Sequence, residues 1–148
     1  MKPFIPREWI RMRKQPEEHP WSRLSSYKMH MTIKQTSKGP YLRVCHTIKE
    51  NPIPDGVQWI KAPYSPGEVC YVPETWGSNM VKGYESYGKI FYRADMPDQK
   101  TVPETYGCPW RSPVTMPQWA ARRHVRILSC VPEQRGEWGW RVEWEEEN

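Results

Sequence analysis

The sequence lacks several features that would place it in a familiar class of protein. No stretch has the apolar core of a signal peptide or approaches the roughly 20 apolar residues of a membrane-spanning helix. Cysteines are few, and none is in the C-x-x-C or cysteine–histidine spacing of a zinc site. The four are Cys45, Cys70, Cys108 and Cys130. We therefore expect a soluble, cytoplasmic protein with reduced thiols and with no metal or cofactor.

Phenylalanine is also scarce, whereas other aromatic residues and proline are abundant. The chain contains 2 Phe against 9 Trp and 8 Tyr, together with 16 Pro among its 148 residues. Because proline breaks helices and interrupts sheets, this composition favours short strands joined by rigid loops. We predict one domain over residues 1–148, of β-dominated α+β class, forming a small β-barrel with one to three short flanking helices.

Alternating apolar and polar residues predict the strands. Met29–Lys34 and Pro40–Ile48 read as a β-hairpin with the five-residue loop Gln35–Gly39. The clearest half-buried strand is Trp138–Trp144, in which three tryptophans and a valine alternate with polar residues or glycine. Further predicted strands are 57–61, 68–72, 89–93 and 124–131.

Charge is distributed unevenly along the chain. The formal net charge is +5, yet residues 143–148 form an acidic tail with four glutamates. Residues 1–25 are predicted to be an N-terminal helical extension, whose segment Pro6–Lys14 reads as a short basic helix. A basic body favours an anionic partner such as nucleic acid, although a charge of this size also serves solubility alone.

The segment Trp110–Arg123 combines two tryptophans, two prolines and several arginines. Thr115 and Gln118 have capping-box spacing, which predicts a loop that enters a short helix. The interpretation favoured by this segment alone is that Trp119 lies in the core and the arginines solvate the surface. The same pattern of adjacent tryptophan and arginine is suited to flat anionic ligands such as nucleotides.

Three blocks together carry a resemblance to a known family. They are Pro66–Trp76, with its Glu-Thr-Trp end, Phe91–Asp95, with Tyr-Arg-Ala-Asp, and Trp110–Arg122. In this order they resemble phage- and prophage-encoded proteins of the ASCH family, within the PUA-like superfamily. The third block is the specific one, because its Trp, Pro, Met, Trp, Ala and Arg fall in register with the family pattern. This match implies that Met116, Trp119 and Ala120 anchor the short helix to the barrel.

The resemblance implies a PUA-like β-barrel in the cytoplasm of a bacterial host cell. It also implies that the partner is RNA, single-stranded nucleic acid or a modified nucleoside. Some family members act as nucleases or deacylate a modified cytidine. Their lysine-bearing N-terminal motif has no counterpart here, and Pro73 stands where the family has arginine. These departures favour binding over catalysis.

Candidate site residues follow from the three blocks. Glu74 would accept a hydrogen bond from a base amine or act as a general base, or else would pair with Arg93. Arg93 would clamp a phosphate or pair with Asp95. The other candidates are Trp76 and Trp110 for base stacking, and Arg111, Arg122 and Arg123 for phosphate contacts.

Three hypotheses result, in decreasing order of preference. The first is a nucleic-acid or modified-nucleotide binding module of PUA-like fold. The second is an ASCH-type amidohydrolase or ribonuclease that uses Glu74. The third is a phage-derived accessory that binds a host protein.

Overall fold

A computed structural model describes residues 1–54 and 56–147. Strands make up 43% of the chain, and the described residues contain no α-helix of seven residues or more. The strands are β1 (Trp9–Arg11), β2 (Tyr27–Thr36), β3 (Gly39–Ile48), β4 (Asn51–Pro52), β5 (Gln58–Lys61), β6 (Val69–Val72), β7 (Trp76–Ser78), β8 (Ile90–Tyr92), β9 (Arg123–Arg135) and β10 (Glu137–Glu147). Short 3-10 turns span Glu85–Tyr87, Arg93–Asp95, Pro113–Thr115 and Gln118–Ala120.

The chain divides into two compact units. That residues 1–148 form a single domain stays a prediction. Unit 1 comprises Met1–Pro6, Val69–Arg126 and the residues from Glu146 onward. Unit 2 comprises Arg7–Glu68 and Ile127–Glu145. Strand β9 begins in unit 1 and continues into unit 2.

Unit 1 contains two short antiparallel pairings. Strand β6 pairs with the first four residues of β9, so that Val72 lies opposite Arg123. Strand β7 pairs with β8, so that Trp76 lies opposite Tyr92. Buried apolar side chains fill the interior of the unit; they are Phe4, Cys70, Val72, Trp76, Val102, Met116, Ala120 and Val125.

Unit 2 is built on the β2–β3 hairpin, which confirms the hairpin predicted from the alternation of residues in the sequence. The two strands pair over their whole length, from Tyr27 opposite Ile48 to Thr36 opposite Gly39. The loop is therefore two residues long rather than the predicted five. Gly39 follows it with φ +104°, a left-handed conformation that glycine adopts without strain. Strand β5 adds to the other side of β3.

The remaining strands of unit 2 are β1, the two-residue β4, the later part of β9 and most of β10. Strand β1 pairs with β10, so that Ile10 lies opposite Trp140. The prediction of a helix within residues 1–25 is wrong, because pairing with β10 holds Trp9–Arg11 extended. The acidic tail is not a separate segment, since β10 runs through Glu147.

Two further predictions need correction. The described strands form no closed barrel, since they fall into separate sheets. Several of the strands are also short, because β4, β7 and β8 span only two or three residues. The helix expected after Thr115 is reduced to two 3-10 turns. Met116 between them has ψ 122°, the extended backbone that the following Pro117 imposes.

Candidate functional site

Arg122 lies between two carboxylates in unit 1. Its Nε and Nη2 each donate a 2.9 Å hydrogen bond to an oxygen of Glu74. Its Nη1 donates to Asp95 Oδ2 at 2.7 Å. These hydrogen bonds, those to Glu74 above all, raise the pKa of Arg122 above its ordinary value. The cluster ties together the end of β6, the turn after β8 and the start of β9.

Tyr92 packs against this cluster. The Cζ atom of Arg122 is 4.2 Å from the centre of the Tyr92 ring, within the range of a cation–π interaction. The Tyr92 hydroxyl donates to the carbonyl oxygen of Ala120 at 2.5 Å, and burial raises the pKa of that hydroxyl. Arg122 therefore acts as a structural clamp in this arrangement.

The other two arginines of the Trp110–Arg123 segment are also engaged. Arg111 Nη1 donates to Glu85 at 2.8 Å, and this bond lowers the pKa of Glu85. Arg123 forms an ion pair with Glu146. A phosphate contact by any of the three predicted arginines would have to compete with a carboxylate already in place.

The two tryptophans of the candidate site, Trp76 and Trp110, differ in how deeply they are buried. Trp76 is only 2% exposed and packs with Met116 and Ala120, while Arg111 lies 4.9 Å above its ring. Neither face of its ring is open to a base. Trp110 is half-buried, and its indole donates to the Gln99 carbonyl at 2.9 Å.

Trp119 differs from what the sequence predicts. It is 54% exposed, so the expectation that it anchors the segment in the core is wrong. Met116 and Ala120 are buried as expected, at 3% and 4% exposure. The tight 3-10 turn Gln118–Ala120 turns the Trp119 side chain outward while Ala120 faces the core.

Arg93 has the environment that best fits a ligand contact among the predicted residues. It lines a cavity of about 420 Å³ together with Glu74, Thr75, Ala94 and Pro97. No carboxylate in the described part of the chain forms an ion pair with it. Glu74 and Asp95 were the expected ion-pair partners of Arg93, but both pair with Arg122 instead.

A second group of chemistry-bearing residues, not predicted from the sequence, lies in unit 2. Trp59 is 47% exposed, with Tyr41 and Arg43 against its ring. The signal was present in the sequence, because Tyr-x-Arg in β3 and Trp-x-Lys in β5 place aromatic and basic residues on one face of each strand.

Comparison with protein-family models, curated proteins and solved structures found no match for this chain. Among the described residues, no group of three or more His, Cys, Asp or Glu side chains is arranged to hold a metal ion. Nor does that part of the chain contain a helix long and apolar enough to cross a membrane.

Proposed function

We propose that the protein is a nucleic-acid- or modified-nucleotide-binding module of the PUA-like class, directed at RNA, which takes its ligand at the Glu74–Arg93 cavity. One observation carries the proposal. The three sequence blocks that resemble ASCH proteins meet in unit 1, through the pairing of Trp76 with Tyr92, the bridge between Trp76 and Arg111, and the ion cluster of Arg122.

The cavity provides complementary polar groups for a nucleotide. The Arg93 guanidinium is exposed and without an ionic partner in residues 1–54 and 56–147, so it is available to a phosphate. Glu74, whose side chain is 13% exposed, would accept a hydrogen bond from an exocyclic base amine. Arg122 holds that carboxylate in a fixed orientation, which reduces the entropy lost when a ligand binds.

The contacts of Glu74 favour binding over the amidohydrolase or ribonuclease alternative. Both of its oxygens accept hydrogen bonds from Arg122. A general base must offer an oxygen lone pair to the proton that it removes. Taking up a proton would cancel the negative charge of Glu74 and weaken both hydrogen bonds from Arg122, whereas an acceptor for a base amine stays charged and keeps them.

Titration with single nucleotides tests this proposal. We would follow amide chemical shifts of the full chain while adding the four ribonucleoside 5′-monophosphates and, separately, the matching nucleosides. We expect shifts to cluster around Glu74, Thr75 and Arg93, and expect monophosphates to bind more tightly than nucleosides. Arg93→Gln should abolish that difference, whereas Lys82→Gln, which removes another exposed cation of unit 1, should preserve it.

The proposal fails if no nucleotide shifts these resonances at millimolar concentration, or if Arg93→Gln binds as tightly as the wild type. Glu74→Gln provides a separate check, because it keeps the side-chain shape and changes the groups offered to a base. It should change the ranking of the four bases while the thermal midpoint confirms folding.

A further inference from the structure

The β2–β3–β5 sheet of unit 2 has one buried face and one solvent-facing side. Leu42, Val44 and Ile60 belong to the buried face. The opposite side carries the even-numbered positions of β2 and the odd-numbered positions of β3 and β5, as the register and the 3.0 Å contact between His30 and Thr47 show. We call this side the Trp59 face.

The Trp59 face is basic and has no acidic residue at any of these strand positions. Its cations come from all three strands; they are Lys28, Lys34, Arg43 and Lys61. Solvent-facing sheets ordinarily mix charges of both signs, because opposite charges on neighbouring strands stabilise the pairing. A face with one sign of charge has a positive potential that attracts anions.

An aromatic pair lies among these cations. Tyr41 meets Trp59 edge-to-face, with ring centres 6.4 Å apart and planes at 80°. Arg43 Cζ lies 5.9 Å from the centre of the Trp59 ring. These neighbours hold the indole in place while nearly half of its surface remains exposed, which makes it a preorganised platform for stacking.

Trp59 also lines two neighbouring cavities of unit 2. One has a volume of about 430 Å³ and includes the cations Arg7, Arg13, Lys14 and Lys61 in its wall. The other has about 280 Å³ and includes Lys38 and Tyr41. Among the described residues, neither cavity has an acidic side chain in its lining, so basic groups continue on both sides of the indole.

Several cations around Trp59 have no ion-pair partner within the described part of the chain. Arg11, in the same cavity wall, pairs with Glu137, and Arg141 on β10 lies 3.9 Å from Glu143. In residues 1–54 and 56–147, by contrast, no carboxylate forms an ion pair with Arg13, Lys34 or Lys61. An anionic ligand would therefore not have to displace a carboxylate, unlike at Arg111, Arg122 and Arg123 of unit 1.

We propose that the Trp59 face binds single-stranded nucleic acid, with backbone phosphates on the surrounding cations and a base stacked on Trp59. This site is separate from the unit 1 cavity and takes an extended strand rather than one nucleotide. A single strand is favoured over a duplex because only an unpaired base can offer its flat face to the exposed indole. Cations on both sides of Trp59 provide phosphate contacts along such a strand.

Fluorescence anisotropy with labelled oligonucleotides of about 12 residues tests this inference on the full chain. Single-stranded RNA, single-stranded DNA and a DNA duplex form the three arms. We expect both single strands to bind more tightly than the duplex, and the affinity to fall as salt rises from about 50 to about 200 mM. Equal or tighter binding of the duplex would overturn the stacking arrangement.

Substitution of the indole tests the stacking contact itself. Trp59→Ala should weaken single-strand binding by about 5- to 150-fold, the effect of losing one base–aromatic stack. Trp59→Phe, which keeps an aromatic ring, should retain most of the affinity. The matched control is Trp119→Ala, which removes a similarly exposed indole from unit 1 and should leave the affinity unchanged.

Substitution of the lysines tests the phosphate contacts. Lys34→Gln and Lys61→Gln should each reduce the slope of log K against log salt by about 0.7, the value for one phosphate contact to a single strand. Lys82→Gln in unit 1 serves as the control and should leave the slope unchanged. Thermal midpoints of all variants verify that each remains folded.

Two results would overturn the inference. One is that the wild type binds no oligonucleotide at about 50 mM salt. The other is that Trp59→Ala and both lysine variants bind like the wild type. Because single-nucleotide binding at the Glu74–Arg93 cavity is measured separately, failure of either site leaves the result for the other intact.

Discussion

The guanidinium of Arg122 lies over the ring of Tyr92, with Cζ 4.2 Å from the ring centre, while it holds Glu74 and Asp95. Arg122 thus makes one cation–π contact and two ion pairs, and the two carboxylates lie 48 and 27 positions before it in the chain. This relationship indicates that Arg122 contributes to the stability of unit 1.

Replacing Arg122 with methionine should lower the free energy of unfolding by about 1–2 kcal/mol. The change keeps apolar contact with Tyr92 but leaves the mostly buried Glu74 without its partner. Solvent screening of the side chain, which is 36% exposed, keeps the effect at this modest size. Urea unfolding of the two proteins measures the difference.

The neighbouring Arg123→Met is the matched control. Its ion pair with Glu146 is solvent-exposed on both sides, so we expect a change within about 0.5 kcal/mol. Equal losses from the two substitutions would mean that the clamp around Arg122 adds no stability beyond that of a surface ion pair.

Truncation of two tryptophans should have very different effects on stability. Trp76→Ala removes a buried indole from contact with Met116 and Ala120, and should cost about 3–5 kcal/mol of stability. Trp119→Ala removes an exposed ring and should change stability by less than about 0.5 kcal/mol. Chemical denaturation monitored by far-UV circular dichroism measures both, and a large loss from Trp119→Ala would contradict the structure.

The sequence predicts the regular strands well because their pattern is local. Alternation in β3 and β10 is visible within ten residues, and it places Leu42, Val44 and Val142 on strand faces that are buried in the structure. The one-sided Trp59 face follows from the same alternation, but only after the pairing of β3 with β5 is known.

Burial of individual tryptophans and the pairing of arginines could not be predicted in this way. Trp76 is buried because Arg111 and Met116 cover it, and both lie more than 30 residues further along the chain. Arg122 pairs with Glu74 across 48 residues rather than with a local acid. Such contacts depend on the fold, so residue type and spacing alone left several partners equally plausible.

His46 should make the stability of unit 2 depend on pH. Burial, together with the nearby His19, lowers the pKa of His46 below its ordinary value of 6.5. Tyr27 Oη also lies 2.6 Å from its Nδ1. Below about pH 6.5 the unfolded chain takes up a proton that the folded chain resists, so the free energy of unfolding falls as the pH falls.

Denaturant midpoints at about pH 7.5 and about pH 5.5 measure this dependence. In His46→Gln the difference between the two midpoints should shrink, whereas in His30→Gln, which removes an exposed histidine, it should be retained. An unchanged difference in His46→Gln would assign the pH dependence to other groups.

Gly139 should not tolerate a side chain while Trp9 is present. A Cβ atom at this position would lie 2.2 Å from Cε2 of Trp9, whose indole also donates to the Glu133 carbonyl at 3.1 Å. Gly139→Ala should therefore cost about 1–3 kcal/mol by displacing the ring. Thermal unfolding of the purified variant measures this loss.

A double-substitution cycle separates this clash from a general effect of alanine in β10. In a Trp9→Ala background the ring is absent, so Gly139→Ala should cost much less than it does in the wild type. Additive losses would show that the close approach of Trp9 is not the cause.

Strand β9 belongs to unit 1 up to Arg126 and to unit 2 from Ile127, and the chain passes between the units four times in all. Neither unit therefore corresponds to one uninterrupted segment of the chain, or of the gene that encodes it. No single truncation can remove one and leave the other whole, and recombination cannot transfer either as one piece. Unit 1, with the Glu74–Arg93 cavity, and unit 2, with the Trp59 face, can therefore be acquired or lost only together.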